Sequence, residues 1–217
     1  MGYKVFITIV RAVMDFFIIT LMGLHVEGRE NIPAQGKIIV APNHKSDWDP
    51  PVIGVAFNTR IVHYMAKEEL FKNPVAAWVL RLFGTFPVRR GVVDRAAIRQ
   101  AIRELKNGHP LGIFPEGTRI KKDGLGRFHS GMASIALMTG TDILPVAVLG
   151  TRALPKKSGP FAVLIGKPVK VEKAKATDEN IEALNEKVRF ELTALADNYL
   201  ARLPEGKKEQ KIISSGK

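Results

Sequence analysis

Asn43-His44-Lys45-Ser46-Asp47-Trp48-Asp49-Pro50 places a histidine five residues ahead of an aspartate, directly after the apolar run from Ile38 to Ala41. An imidazole can take a proton from an alcohol, and a carboxylate on its other nitrogen fixes the tautomer and stabilises the imidazolium. His44 and Asp49 would together activate a hydroxyl. The i to i+5 spacing allows contact when the turn curls into a helix beginning at Pro50, yet by itself such a spacing more often marks a capping or solvated pair. A second block, Phe114-Pro115-Glu116-Gly117-Thr118-Arg119, has the same design, because the apolar run from Leu111 to Phe114 empties into an acid, a glycine, a hydroxyl and a guanidinium. Arg119 offers a planar fork for a phosphate, Gly117 permits close backbone approach, and Thr118 adds a hydroxyl. Glu116 either orients acceptor hydroxyls or pairs with Arg119 to close a turn. Arg89 and Arg90 form a third polar outlet after the short run Gly84 to Val88. Ligands of open α/β sheets sit at the carboxyl ends of the strands, so the first two blocks are expected to meet in space.

Several chemistries are excluded. The chain has no cysteine, which removes disulfides, thiolate nucleophiles and thiolate-bound metals. No serine stands in a G-x-S-x-G elbow, so an esterase nucleophile is lacking and the activated hydroxyl is expected on the substrate. His25, His63, His109 and His129 show no ligand spacing, and no metal is expected.

The elements that must position these residues follow from periodicity and punctuation. Strands are expected over Val26 to Ile32, from Gly36 into the His44 loop, over Arg60 to Met65, Thr85 to Val88, Leu111 to Phe114, Ile143 to Leu149 and Phe161 to Ile165. Helices are expected from Pro50 to Phe57, Pro74 to Phe83, after an Asp94 N-cap as far as Gly108, over Ser130 to Thr139 and over Asp178 to Leu200. In the Asp94 helix, Ile98, Ala101, Ile102 and Leu105 are the expected buried stripe, while Arg95, Arg99, Arg103 and Lys106 form a solvated face that also suits anionic lipid heads. Trp48 and Trp78 suit interfacial anchoring, although core packing is the equal or better reading of Trp78. Short strands alternating with helices indicate a single α/β domain with a partly parallel central sheet flanked by helices.

A hydrophobic fraction of 46% and a charged fraction of 25% over 217 residues describe one globular domain. Lys and Arg number 33 against 21 Asp and Glu, a formal charge of +12 that draws polyanions: nucleic acid, an anionic leaflet, or acidic proteins and phosphorylated substrates. From Val5 to Leu24 the chain is almost wholly apolar, interrupted by Arg11 and Asp15. The longest charge-free run, Phe16 to Leu24, is shorter than the roughly 20 residues that cross a bilayer core. At helical periodicity Lys4, Thr8, Arg11 and Asp15 share a narrow stripe beside a wide apolar face, which describes an interfacial, membrane-anchoring helix, with packing on the protein's own core as the alternative.

In order and spacing these blocks resemble the glycerolipid acyltransferases, in particular the bacterial 1-acylglycerol-3-phosphate acyltransferases of the PlsC type. The resemblance covers roughly Ile38 to Leu149. The N-H-x-x-x-x-D motif is Asn43, His44 and Asp49; the glycine, apolar strand and arginine are Gly84 to Arg90; F-P-E-G-T-R is Phe114 to Arg119; and the apolar run into proline is Ile143-Leu144-Pro145-Val146. Pro87 stands where the second motif usually carries an aromatic residue. The resemblance implies acyl transfer from a thioester, acyl-CoA or acyl carrier protein, to the second hydroxyl of 1-acyl-sn-glycerol-3-phosphate (lysophosphatidic acid), giving phosphatidic acid for phospholipid biosynthesis. His44 and Asp49 would be catalytic, with no acyl-enzyme and no cofactor beyond the thioester co-substrate. Arg90, Glu116, Gly117, Thr118 and Arg119 would bind the acceptor. Glycerol-3-phosphate or another lysophospholipid is the alternative acceptor, a hydrolase using the same pair on water is chemically close, and a basic lipid-binding protein is the non-enzyme alternative. The implied partners are lysophosphatidic acid, the acyl donor and an anionic membrane surface, with no nucleic acid. Residues 1–25 then form the interfacial segment, 26–204 the catalytic domain and 205–217 a polar tail, on the cytoplasmic side of the cell membrane, peripheral or monotopic.

Overall fold

The computed structural model describes residues 2–89, 91–154 and 160–204, with side chains described from residue 8 onward. Arg90 and the tail 205–217 therefore lie outside the described residues.

The chain opens with α1 (Gly2–Asp15), which continues into a π-wound stretch, Phe16–Leu21. There follow β1 (His25–Glu27), β2 (Ile38–Pro42), α2 (Asp49–Ala56), β3 (His63–Lys67), α3 (Pro74–Leu82), β4 (Phe86–Val88), α4 (Arg95–Lys106), β5 (Pro110–Gly112), α5 (Ser130–Thr139), β6 (Ile143–Leu149), β7 (Ala162–Ile165) and α6 (Asp178–Arg202). The seven strands form one sheet in the order β1-β7-β6-β2-β5-β3-β4. Every neighbouring pair is parallel except β6 with β7. The molecule is thus a single α/β domain with a mostly parallel sheet between helical layers.

Alternation along the central strands divides two cores. In β2, Ile39 and Ala41 face the layer of α4, α5 and α6, meeting Leu105, Met132, Val188 and Leu192. Ile38 and Val40 face the opposite layer, meeting Ile18, Val52 and Ile53. Being buried on both faces explains why β2 and β6 are continuous apolar runs. Because β2 lies between β5 and β6, its carboxyl end opens beside theirs.

Several sequence expectations need correction. The expected strand from Val26 to Ile32 stops at Glu27, because Gly28 turns the chain at φ +82° into a short 3₁₀ turn, Arg29–Asn31. The strand expected over Arg60 to Met65 is β3, shifted toward the carboxyl side; Arg60 lies before it and donates hydrogen bonds to the carbonyls of Pro33 and Gly108. In α4 the fully buried residues are Ala97, Ala101, Glu104 and Leu105, while Ile98 and Ile102 are half-buried. Its basic face, Arg95, Arg99, Arg103 and Lys106, is exposed. Trp78 is 54% exposed on α3, so it is not core packing.

The amino-terminal helix is oriented opposite to a helix that buries an apolar face on its own domain. Arg11 and Asp15 are half-buried against the protein, and Arg11 Nη2 donates to the carbonyl of Phe57 at 2.8 Å. Ile9, Val13, Phe16, Phe17 and Leu21 are between 47% and 63% exposed. Ile18, Met22 and Leu24 fasten the end of the segment to the core. Among the described residues no helix is long and apolar enough to cross a membrane.

Candidate active site

The site is built on three neighbouring strand ends. Asn43, the residue after β2, is completely buried and extends the sheet with its side chain: Nδ2 donates to the Val148 carbonyl at 2.9 Å, and Oδ1 accepts from the Val148 amide at 2.7 Å. This amide pairing replaces a rung of the β2–β6 ladder and fixes where the chain departs. The following residues form the turn into α2, where Asp49 is the first helical residue and Pro50 and Pro51 occupy positions that need no amide donor.

Within that turn His44 Nδ1 lies 2.8 Å from Asp49 Oδ2. Asp49 is 0% exposed, and its Oδ2 also accepts from the backbone amides of Lys45 at 2.7 Å and Ser46 at 2.8 Å. Thr151, just beyond β6, donates its hydroxyl to Asp49 Oδ1 at 2.5 Å. The buried carboxylate is therefore satisfied on both oxygens by donors from two strand ends, which holds it in one orientation. Four donors leave Asp49 little freedom, and the His44 ring inherits that order. The ring is further stacked on Phe114, centroids 3.9 Å apart and planes 26° from parallel. Among the described residues, Nε2 of His44 has no hydrogen-bond partner.

Glu116 is 1% exposed. Its Oε2 accepts from the His44 amide at 2.7 Å, and its Oε1 accepts from the Gly126 amide at 2.7 Å. Burial pushes its carboxyl above the usual range, against the pull of those two amide bonds. Glu116 thus ties the two strand-end loops together, and it also lines the cleft shared by His44, Gly117 and Thr118. It forms no pair with Arg119. Lys45, buried beside it, donates its ammonium to the carbonyls of Lys122 and Gly124, and burial lowers its pKa.

Gly117 and Thr118 are exposed and line, with His44, Arg89, Phe114 and Met132, a cleft of about 670 Å³. Arg119 follows Thr118 with 54% of its side chain exposed and pairs with Asp47, a residue of the first block. The two blocks do meet, through the Glu116 bond to His44 and this pair. A second cavity of about 330 Å³ opens behind α2, lined mainly by apolar groups of α2, α3 and β3, including Pro50, Val55 and Leu80, with Arg11 and Asp15 of the amino-terminal helix at one wall. Pro50 makes that wall begin one residue beyond Asp49. Tyr64 also lines it with an unpartnered buried hydroxyl, whose pKa is driven up by burial and by the nearby Asp49 charge.

Sequence reasoning overlooked Thr151 and the structural part of Asn43. Thr151 follows the run Ile143 to Gly150, and only the adjacency of β6 to β2 reveals its partner.

Comparison with known proteins agrees with the geometry. Residues 23–149 match a family model described as Acyltransferase. The chain is 34% identical over 149 residues to the 1-acyl-sn-glycerol-3-phosphate acyltransferase of Bacillus subtilis, covering 68% of this chain and 74% of that protein. It is 31% identical over 201 residues to the enzyme of the same name from Streptococcus pneumoniae, covering 89% and 74%. The crystal structure of the 1-acyl-sn-glycerophosphate acyltransferase PlsC from Thermotoga maritima superimposes with a TM-score of 0.69 at 31% identity, over 90% of this chain and 82% of that one.

Proposed function

The chain belongs to the acyltransferase family, and on that premise we propose that it acylates the free sn-2 hydroxyl of 1-acyl-sn-glycerol-3-phosphate. The acyl group comes from a thioester, acyl-CoA or acyl carrier protein, and the product is phosphatidic acid. The observation that carries this reading is the buried, fully satisfied Asp49 holding Nδ1 of a histidine whose ring lines the cleft shared with Gly117 and Thr118.

In the proposed mechanism Nε2 of His44 accepts the proton of the acceptor hydroxyl as its oxygen attacks the thioester carbonyl. Asp49 keeps the other proton on Nδ1 and stabilises the imidazolium. The tetrahedral intermediate collapses by breaking the C–S bond, and the imidazolium returns its proton to the departing thiolate. The ester and one free thiol are the products, so no group on the protein is acylated. The lack of cysteine and of a serine elbow agrees with that stoichiometry.

Arg119 and Arg90 are assigned to the acceptor phosphate. Arg119 is suited to it because its partner Asp47 is itself exposed, so a phosphate dianion competes for the fork with little desolvation cost. The apolar cavity behind α2 has the character an acyl chain requires. The +12 charge favours the acidic donors and an anionic leaflet. The exposed apolar face of the amino-terminal helix, with Trp78 and Val79 on neighbouring α3, supports peripheral contact with the cytoplasmic face of a membrane. Acceptor and product both reside there.

The test is an assay of purified protein with lysophosphatidate, glycerol-3-phosphate and lysophosphatidylcholine, each against acyl-CoA and acyl carrier protein donors. Phosphatidate and free thiol should appear in equal amounts with lysophosphatidate. Thiol release with free fatty acid and no phosphatidate would instead make the protein a thioester hydrolase.

A further inference from the structure

A second cluster of titratable side chains lies at the opposite, amino-terminal edge of the sheet. His63 is the first residue of β3, His109 immediately precedes β5, and Glu104 is in the last turns of α4. His63 Nδ1 and His109 Nδ1 both approach the same oxygen, Glu104 Oε2, at 3.0 and 2.8 Å. The imidazole rings are 4.3 Å apart between centroids. One ligand atom from each of the three residues lies within 4.8 Å of the others. We propose that His63, Glu104 and His109 form a binding site for a divalent transition metal, zinc by preference, that clamps the amino ends of β3 and β5 to α4.

Four features of the cluster suit an ion. The donor set, two imidazole nitrogens and one carboxylate oxygen, is one that zinc accepts with a water in the fourth position. Tetrahedral bonds of about 2.0–2.1 Å place ligand atoms about 3.3 Å apart, so the two nitrogen–oxygen spacings of 3.0 and 2.8 Å need to open by only a few tenths of an ångström. A supporting outer contact is already present: Gln100 Nε2 donates to Glu104 Oε1, which orients the carboxylate and leaves Oε2 for the centre. Access is available from the His109 side, whose side chain is 45% exposed, whereas His63 and Glu104 are largely enclosed.

Local packing aims the inner ligand. Gly84 closes on the Cδ2 and Nε2 side of the His63 ring; a Cβ there would come within 2.4–2.6 Å of it. No other residue type fits at position 84 without displacing the imidazole, and Nδ1 is left facing Glu104. In the bound state each neutral ring carries its proton on Nε2, and the ion takes the place of the two Nδ1 protons now directed at Glu104.

The proposal is tested on untagged, EDTA-treated full-length protein by calorimetric titration with Zn²⁺, with Co²⁺ absorption as a report on coordination geometry. One saturable equivalent of Zn²⁺ should bind, raise the thermal unfolding midpoint, and yield a tetrahedral Co²⁺ spectrum. His109→Gln and His63→Gln should each weaken binding by at least about tenfold, whereas His25→Gln and His129→Gln should leave it unchanged. The exposed position of His109 makes His109→Gln the variant least able to disturb folding. Absence of saturable Zn²⁺ binding to the wild-type protein, or wild-type affinity in the His63→Gln, His109→Gln double variant, overturns the assignment.

Discussion

Two histidine–carboxylate clusters sit at opposite ends of the same sheet. At the carboxyl ends, Asp49 serves one histidine, and its remaining capacity is filled by two amides and the Thr151 hydroxyl. At the amino ends, Glu104 serves two histidines through one oxygen. The nitrogen distances hardly differ, so distance does not decide what each pair can do. The difference lies in the rest of each ring and acid. His44 stacks on Phe114 and lines an open cleft, while His63 is closed in by Gly84 and faces a second imidazole. A carboxylate held by backbone and hydroxyl donors makes a single oriented base; a carboxylate shared between two imidazoles makes a ligand set.

This contrast orders the expected effects of substitution. Asp49→Asn removes the charge that stabilises the imidazolium and turns an acceptor into a donor toward groups that already donate. Turnover should fall by at least about 100-fold, the scale of lost general-base function, with circular dichroism unchanged. Activity near that of the wild type would erase the distinction between the two ends.

Thr151→Val should cost about tenfold in kcat, since a bond to a charged group contributes roughly 1.5–3 kcal/mol and a tenfold rate change is about 1.4 kcal/mol. Rescue by Thr151→Ser would sharpen the assignment to the hydroxyl. A Thr151→Val enzyme that lost stability but not kcat would reduce the residue to packing.

Smaller effects are expected away from the dyad. Arg119→Ala should raise the acceptor's KM several-fold with kcat little changed, the pattern of lost uniform binding; an unaltered KM would remove Arg119 from the phosphate. Val13→Ser, Phe16→Ser and Phe17→Ser combined should reduce flotation with anionic vesicles while leaving the buried Ile18 and Met22 in place. Equal flotation would refute the membrane role of that face.

Much of the carboxyl-terminal edge was legible in the sequence. The runs Ile38 to Ala41 and Ile143 to Leu149 are buried on both faces, and such strands announce themselves by continuous apolar composition. The His44 and Glu116 blocks could be expected to meet because adjacent parallel strands open at one end. What each side chain does there was less legible. Glu116 had the composition of a ligand-binding acid, yet the His44 and Gly126 amides claim both its oxygens, a partnership that depends on loop geometry. Thr151 touches Asp49 across 102 positions of sequence, and only the strand order links them.

The amino-terminal edge was hidden for the same reason. His63 and His109 are 46 positions apart, at no metal-ligand spacing, and meet only because β3 pairs with β5. The polar stripe of the amino-terminal helix was visible from its period, but not its direction. A period gives the two faces of a helix, and tertiary packing decides which one meets the protein. Here Arg11 satisfies the Phe57 carbonyl, so the apolar face is left outward.

The most direct test of the central claim measures acyl transfer to lysophosphatidate by His44→Ala and His63→Gln side by side, with matched folding by circular dichroism. His44→Ala should lose at least about 100-fold, and His63→Gln should keep near wild-type turnover. Near wild-type turnover by a folded His44→Ala protein would contradict that claim.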